Sequence, residues 1–414
     1  MYLNLCRVSM VYCILSTMRE YLIVLGREPA LSVAELTAVA RRFGLPLQLR
    51  LVSKSVARAS GEITEPMLLA LAGIIKVAEV LGEVGHNKAE LASYLFDHLP
   101  ASGRCEFGLS WYGDKPPRWL ASVGLELKNR LKADERHVRF VTSRTPALSS
   151  VVVRKNKLLP PQGYEFTLWP DEDKVVVGRT VWVQDFAAWS ERDYGRPERD
   201  ARVGMLPPKL ARLMINLAEA PAGAGILDPF CGSGTVLQEA AILGYRHLVG
   251  VDVDSQGVER TRANFSWLRQ RQPQLPAPAL MVADINKLPA VLNHSTFEAV
   301  VTEPYLGPPL RGREGERRLV QIHKELTEFY RYALKVLANV VKLGGRIVMV
   351  WPVLKVGQNS VVLPLINEVK SLGLEVVDML PKQTPPEWRH ERKTLWYSRP
   401  DARVIREIVV LGRL

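Results

Sequence analysis

GILDPFCGSGTVLQEAAIL, residues 225–243, runs from an apolar stretch into an acid, through two glycines, and on into a helical pattern. Glycine lets a backbone turn sharply and approach a ligand closely. The helix that follows aims its free amide groups and the positive end of its dipole at the carboxyl edge of the strand. Ligands of open α/β sheets bind at that edge. The stretch has neither the Gly-Lys-Ser/Thr of a phosphate loop nor the GxGxxG of a dinucleotide site. Asp228 opens the turn instead, and it suits a ligand with an ammonium group where a phosphate would be repelled. The candidate contacts in this turn are Asp228, Phe230, Cys231, Gly232, Ser233, Gly234 and Thr235.

Downstream, apolar strands alternate with helices. The pattern predicts strands at 225–230, 247–252, 279–284, 297–304, 345–352, 374–380 and 404–411. Helices are predicted at 235–243, 256–270, about 317–341 and 360–372. Such alternation marks a parallel sheet with helices on both faces. The last two strands are joined by a proline-rich loop with no helix, so the seventh should run antiparallel. Seven strands so arranged resemble the class I (Rossmann-like) methyltransferase fold, within an overall α/β chain. The second strand ends in Asp252, where a carboxylate can accept both hydroxyls of a ribose. The third ends in Asp284, placed to reach an adenine amine, with Ile285 beside the ring. Acids at three successive strand ends point to S-adenosylmethionine as cofactor.

The chain has 414 residues and a formal charge of +12, which indicates two or three domains and a polyanionic partner. Residues 19–205 read as mixed α and β: strand YLIVLG (21–26), helix LSVAELTAVARRFG (31–44), strand QLRLVSKSVARAS (48–60), then helix and strand in MLLALAGIIKVAEVLGEV (67–84). A helix around 89–98, strand CEFGLSWY (105–112), helix WLASVGLELKNRLKA (119–133) and strands VRFVTS (138–143) and SSVVVRKN (149–156) follow. Residues 183–206 read as the joint between the halves. The four cysteines form no CxxC pair, so no metal site is expected and a reducing, cytoplasmic compartment fits. The first seventeen residues are mildly apolar, and translation is expected to begin at Met18. No stretch reaches the roughly 20 apolar residues needed to cross a bilayer.

DPFCGSGT (228–235) is similar to the first motif of methyltransferases that modify exocyclic base nitrogens. RPERDARVGMLPPKLARLMINLA (196–218), YLIVLGREPALSVAEL (21–36), IKVAEVLGE (75–83) and WYSRPDARVIREI (396–408) resemble segments of THUMP-containing tRNA guanine-N2 methyltransferases, which methylate guanosine at position 10. The resemblance implies an N-terminal ferredoxin-like domain at 18–88, a THUMP-like RNA-binding domain at 89–178, a linker at 179–206 and the methyltransferase domain at 207–414. It also implies tRNA as partner. Some relatives need a small activating subunit; otherwise a monomer is expected.

In that family the fourth strand ends in Asp/Asn-Pro-Pro-Tyr, whereas this chain has VVTEPYLGPPL (300–310). A base amine is a poor nucleophile because its lone pair is delocalised. An acceptor side chain binds the amine hydrogens and steers the lone pair, while an aromatic ring stacks on the flipped base. Two registers are open. Thr302 can stand for the leading Asp with Tyr305 as the ring, or Glu303 can replace it with Leu306 where the ring should be. The favoured reading takes Glu303 as acceptor and Tyr305 as stacker, held by Pro304. Arg311, Arg313, Arg317 and Arg318 could clamp phosphates nearby. Lys128, Arg130, Lys132, Arg136, Arg139, Arg154, Lys155 and Lys157, with Arg41 and Arg42, are the candidate RNA-binding cations. The alternatives are a DNA amino-methyltransferase, which would need a target-recognition domain in place of this front half, and a non-catalytic RNA-binding protein that keeps the fold.

Overall fold

A computed structural model describes residues 19–45, 47–51, 53–199, 205–292, 296–310, 314–356, 359–399, 402 and 404–414. The expected start at Met18, Arg311 and Arg313 lie outside these. The chain divides into two units. The first takes residues up to Pro29, Leu45–Glu65 and Ile74–Phe186; the second takes Ala30–Gly44, Pro66–Gly73 and Ala187–Leu414.

The first unit is built on one eight-stranded sheet. Its strands are β1 (Glu20–Leu25), β2 (Leu47–Leu51), β3 (Val56–Gly61), β4 (Ile74–Gly85), β5 (Cys105–Trp111), β6 (Val138–Val141), β7 (Tyr164–Asp171) and β8 (Lys174–Val183), in the order β2-β3-β1-β4-β8-β7-β5-β6. β5 runs parallel to β6, as the crossover through helix Leu120–Ala133 requires. β4 pairs with both β1 and β8, so the sheet is continuous across the expected boundary at 88/89. Helices Lys88–Asp97 and Leu120–Ala133 bury Leu91, Leu95, Val123, Leu127 and Leu131 against Phe107, Phe166 and Val177 of the sheet. Lys76 and Glu165 form an ion pair inside it, 1% and 0% exposed. The Ser110 hydroxyl also donates to Glu165, at 2.5 Å, and the Lys76 ammonium to the Leu148 carbonyl, at 2.6 Å.

Three expectations for this half are corrected. QLRLVSKSVARAS is a hairpin of two strands, β2 and β3, rather than one strand. SSVVVRKN is helical at Ser150–Lys155: the Ser149 hydroxyl accepts the Val152 N–H, and this N-cap outweighs the β-branched run. The segment 179–206 is no bare linker, since it holds the end of β8 and helix Phe186–Tyr194.

The second unit contains a nine-stranded sheet: β9 (Gly225–Asp228), β10 (His247–Asp252), β11 (Ala279–Val282), β12 (Phe297–Thr302), β13 (Val341–Val356), β14 (Asn359–Val361), β15 (Leu374–Val376), β16 (Leu395–Tyr397) and β17 (Val404–Arg413). The main path is β11-β10-β9-β12-β13-β17-β15, with β14 on β13 and β16 on β17. The first five strands of that path are parallel, and β17 is antiparallel to β13 and β15. This is the class I methyltransferase fold. The order reverses after β9, which leaves β9 and β12 side by side at the switch point. Helix Glu316–Val340 buries Leu319, Ile322, Leu326, Tyr330, Ala333, Leu334 and Leu337, the stripe a 3.6-residue period places on one face. The helix expected at 360–372 does not form. β14, turns and a short 3₁₀ segment, Val369–Leu372, take its place, consistent with Pro364 removing a backbone donor.

Two segments from early in the chain complete this unit. Helix Pro29–Arg42 carries Glu35, which is fully buried and accepts the N–H groups of Ala72 and Gly73 at 2.9 and 2.7 Å and the Asn216 side-chain amide at 2.7 Å. Burial pushes its carboxyl up to about 7 in spite of these bonds.

Candidate active site

A cleft of about 530 Å³ opens where β9, β10, β11 and β12 end. The turn after β9 is stitched to its neighbours. Cys231 N–H donates to the Val251 carbonyl at 3.0 Å and Gly232 N–H to Asp252 Oδ2 at 2.7 Å. The Thr261 hydroxyl donates to the Gly232 carbonyl at 2.8 Å. Gly232 and Gly234 adopt φ of 51° and 80°, a region other residues avoid. A side chain at Gly234 would in addition sit 2.7 Å from the Thr261 methyl carbon.

Asp228 is 2% exposed and lines the cleft floor. Its Oδ1 accepts the Thr302 hydroxyl at 2.6 Å and the Phe230 N–H at 3.3 Å. Burial pushes its carboxyl up to about 7; the two hydrogen bonds work against that, and the charges of Asp252 and Glu303 add to it. Asp252 accepts one backbone N–H on each oxygen, from Gly232 and from Asp254 at 2.9 Å, which leaves each oxygen a further lone pair. Asp284 caps the next turn by accepting the Asn286 N–H at 2.8 Å, and with Ile285 it lines the same cleft. Phe230, Cys231, Gly232, Ser233 and Thr235 also line it; Gly234, expected among them, is buried and is not part of the wall. Burial pushes the Cys231 thiol up, so it is wall and not nucleophile.

On the fourth strand's loop, Glu303, Pro304 and Tyr305 all face this cleft. Pro304 is buried and Tyr305 is 56% exposed. The buried Tyr330 hydroxyl donates to the Tyr305 carbonyl at 3.2 Å, and Phe329 meets Phe230 edge to face. The register with Thr302 as acceptor is corrected: Thr302 is fully buried, is absent from the cleft wall and gives its hydroxyl to Asp228. Leu306 shares the wall but has no ring.

Sequence reasoning did not anticipate Arg406. Its Nε donates to Glu303 Oε2 at 2.5 Å and its Nη2 to Oε1 at 3.2 Å. Arg196 was missed as well; it is 3% exposed and donates to the Thr235 hydroxyl at 2.6 Å. The closing hairpin and the RPERD segment were both singled out in the sequence, and these arginines lie in them.

The candidate RNA-binding cations belong mainly to the first unit. Lys132, Arg139, Lys155 and Lys157 are exposed and Lys128 is half-buried. Arg130 pairs with Glu126, Arg154 with Asp185, and Arg136 donates to the Gly103 carbonyl at 3.3 Å. In the second unit Arg41 is spent on Glu219, while Arg317 and Arg318 stand exposed at the start of their helix. No helix among the described residues is long and apolar enough to cross a membrane.

Comparison with known proteins bears on the fold and on the kind of protein this chain resembles. Residues 196–361 match the UPF0020 family, an RMKL-like methyltransferase domain. The chain is 54% identical over 62 residues to a tRNA (guanine(10)-N2)-dimethyltransferase of Methanothermobacter thermautotrophicus, which is 15% of this chain and 18% of that protein. It is 29% identical over 185 residues to the protein of the same name from Pyrococcus abyssi, 43% of this chain and 50% of that one. The matches thus span half or less of these relatives' length. The crystal structure of TrmN from Thermus thermophilus has the same fold, with a TM-score of 0.54 and 16% identity over 95% of this chain and all of that one.

Proposed function

We propose that this chain is an S-adenosylmethionine-dependent methyltransferase that acts on the exocyclic N2 of a guanosine in tRNA, position 10 by similarity to its named relatives. One observation carries the reading: three strand-end acids and the Glu303-Pro304-Tyr305 loop line a single cleft. Its volume of about 530 Å³ suits a nucleoside-sized ligand. Bound S-adenosylmethionine supplies an electrophilic methyl group. The protein's part is alignment. Asp228 faces an ammonium group, Asp252 holds ribose hydroxyls and Asp284 with Ile285 holds the adenine. Glu303 accepts the hydrogens of the target amine, and Tyr305 stacks on a base swung out of its helix. The exposed cations of the first unit hold the RNA backbone. A cytoplasmic location, where tRNA is found, accords with the free, buried Cys105 and Cys231.

The test is incubation of the purified protein with unmodified tRNA and labelled cofactor, followed by mass spectrometry of the nucleosides. N2-methylated guanosine is expected. Methylation of duplex DNA and not tRNA, or cofactor binding without turnover on any RNA, would refute the reading.

A further inference from the structure

Where the family it resembles ends the fourth strand in Asp or Asn, this chain has Glu303, one methylene longer than Asp. A longer side chain has an added rotatable bond and is harder to hold in one place. The structure supplies a holder from far along the chain. β17 runs antiparallel to β13, with Arg406 opposite Pro352 and Ile408 opposite Val350. Reversal of the seventh strand therefore brings its beginning, not its end, to the edge where β12 finishes. Arg406 stands there, flanked on its other side by Tyr397 of β16. Its neighbour Glu407 is engaged separately by Arg392 and Thr394.

We propose that Arg406 is the positioning residue of the transfer site: its two-donor grip on Glu303 fixes the longer side chain so that its remaining lone pairs meet the hydrogens of the target amine. The proposal rests on the reading of Glu303 as acceptor. The geometry is suited to it. Nε and Nη2 bind different oxygens of the carboxylate, so rotation about the last bond of Glu303 is blocked. Both side chains are 12% exposed, where such a pair is little screened. A carboxylate has about four lone-pair sites, and the guanidinium takes one on each oxygen. Tyr330, hydrogen-bonded to the Tyr305 carbonyl, holds the other side of the same loop. Glu303 and Arg406 are thus one unit: an Asp at 303 would fall short of the guanidinium, and a methionine at 406 would leave the carboxylate loose.

The experiment compares wild type, R406M, R406K, E303A and E303D, each first checked by thermal melting and by titration with S-adenosylhomocysteine. Steady-state methyl transfer to tRNA then separates kcat from KM. R406M, which leaves the nearly buried Glu303 carboxylate without its cation, is expected to melt below wild type but to stay folded at the assay temperature, to bind S-adenosylhomocysteine normally, and to lose roughly 10²-fold in kcat with KM for tRNA unchanged, the scale of a misplaced reacting group. R406K is expected to recover part of that loss. E303D, unable to reach the guanidinium, should resemble R406M. If R406M is unfolded at the assay temperature, R406K carries the comparison, since it keeps the cation and loses only the fork. Wild-type kcat in both Arg406 variants, beside an inactive E303A, overturns the proposal and leaves the acceptor reading standing. An E303A protein as active as wild type overturns both.

Discussion

At the level of single residues, two of the cleft's carboxyl groups, Asp228 and Glu303, lie in opposite electrostatic settings. Asp228 is buried with the Thr302 hydroxyl and the Phe230 N–H as neutral donors, and burial pushes its carboxyl up to about 7. Glu303 is clasped by a guanidinium. If Asp228 must be charged to hold an ammonium group, cofactor affinity depends on pH. Above about 7 the carboxylate is present and binding is full; below it each unit of pH costs roughly tenfold. Titration calorimetry with S-adenosylhomocysteine at about pH 6 and about pH 8 should show weaker binding at the lower value, and D228N should be weak at both. Equal affinities for the wild type would count against the role given to Asp228. For Glu303→Ala the expected outcome is intact cofactor binding with methyl transfer reduced by roughly 10²-fold or more, measured with labelled cofactor on tRNA. The strand-end acids were legible in the sequence because each ends a short apolar run. Arg406 was not: it lies 103 residues from its partner, and only the reversed direction of β17 makes them neighbours.

At the level of elements, legibility followed the strength of the local signal. β9, β10, β12 and β13 read correctly because buried parallel strands are unbroken apolar runs. SSVVVRKN misled because β-branched residues dominate it, and one serine cap decides a helix of six residues. QLRLVSKSVARAS alternates throughout, so the bend at Ser53 and Ser55 was hidden; the Ser53 hydroxyl accepts the Val56 N–H at 3.0 Å and closes the turn. The junction of helix Pro29–Arg42 with helix Pro208–Leu217 makes a testable contribution through Glu35. Its folded carboxyl lies near 7, above the ordinary 4.5, so between those values the folded state retains a proton that the unfolded chain has released. Stability should therefore fall by about 3 kcal/mol as pH rises from about 4.5 to about 7, and level off above. The difference in urea unfolding free energy between wild type and E35Q across that range isolates this share. A constant difference would show that Glu35 ionises as freely folded as unfolded.

For the molecule as a whole, the charge of +12 gives its strongest prediction. Binding of tRNA should weaken by roughly a hundredfold between about 50 and 200 mM salt as counterions are released. K155A/K157A should lower the slope of log K against log salt by about one to two. Fluorescence anisotropy with labelled tRNA measures both, and an affinity insensitive to salt would exclude a phosphate-tracking surface. The sequence marked the change of pattern near residue 207 but not that the second unit reaches back into the opening of the chain. The apolar face of LSVAELTAVARR looks the same whichever sheet or helix it serves. That arrangement has a consequence for biosynthesis. Glu35 is made 181 residues before Asn216, its partner. At ribosomal speeds of roughly 5–20 residues per second, the helix that bears it waits on the order of ten to thirty seconds for that partner. Nascent chains stalled within that interval should be the ones that chaperones hold, and a gene truncated ahead of residue 187 would yield a second unit lacking a piece that its own reading frame delivers first.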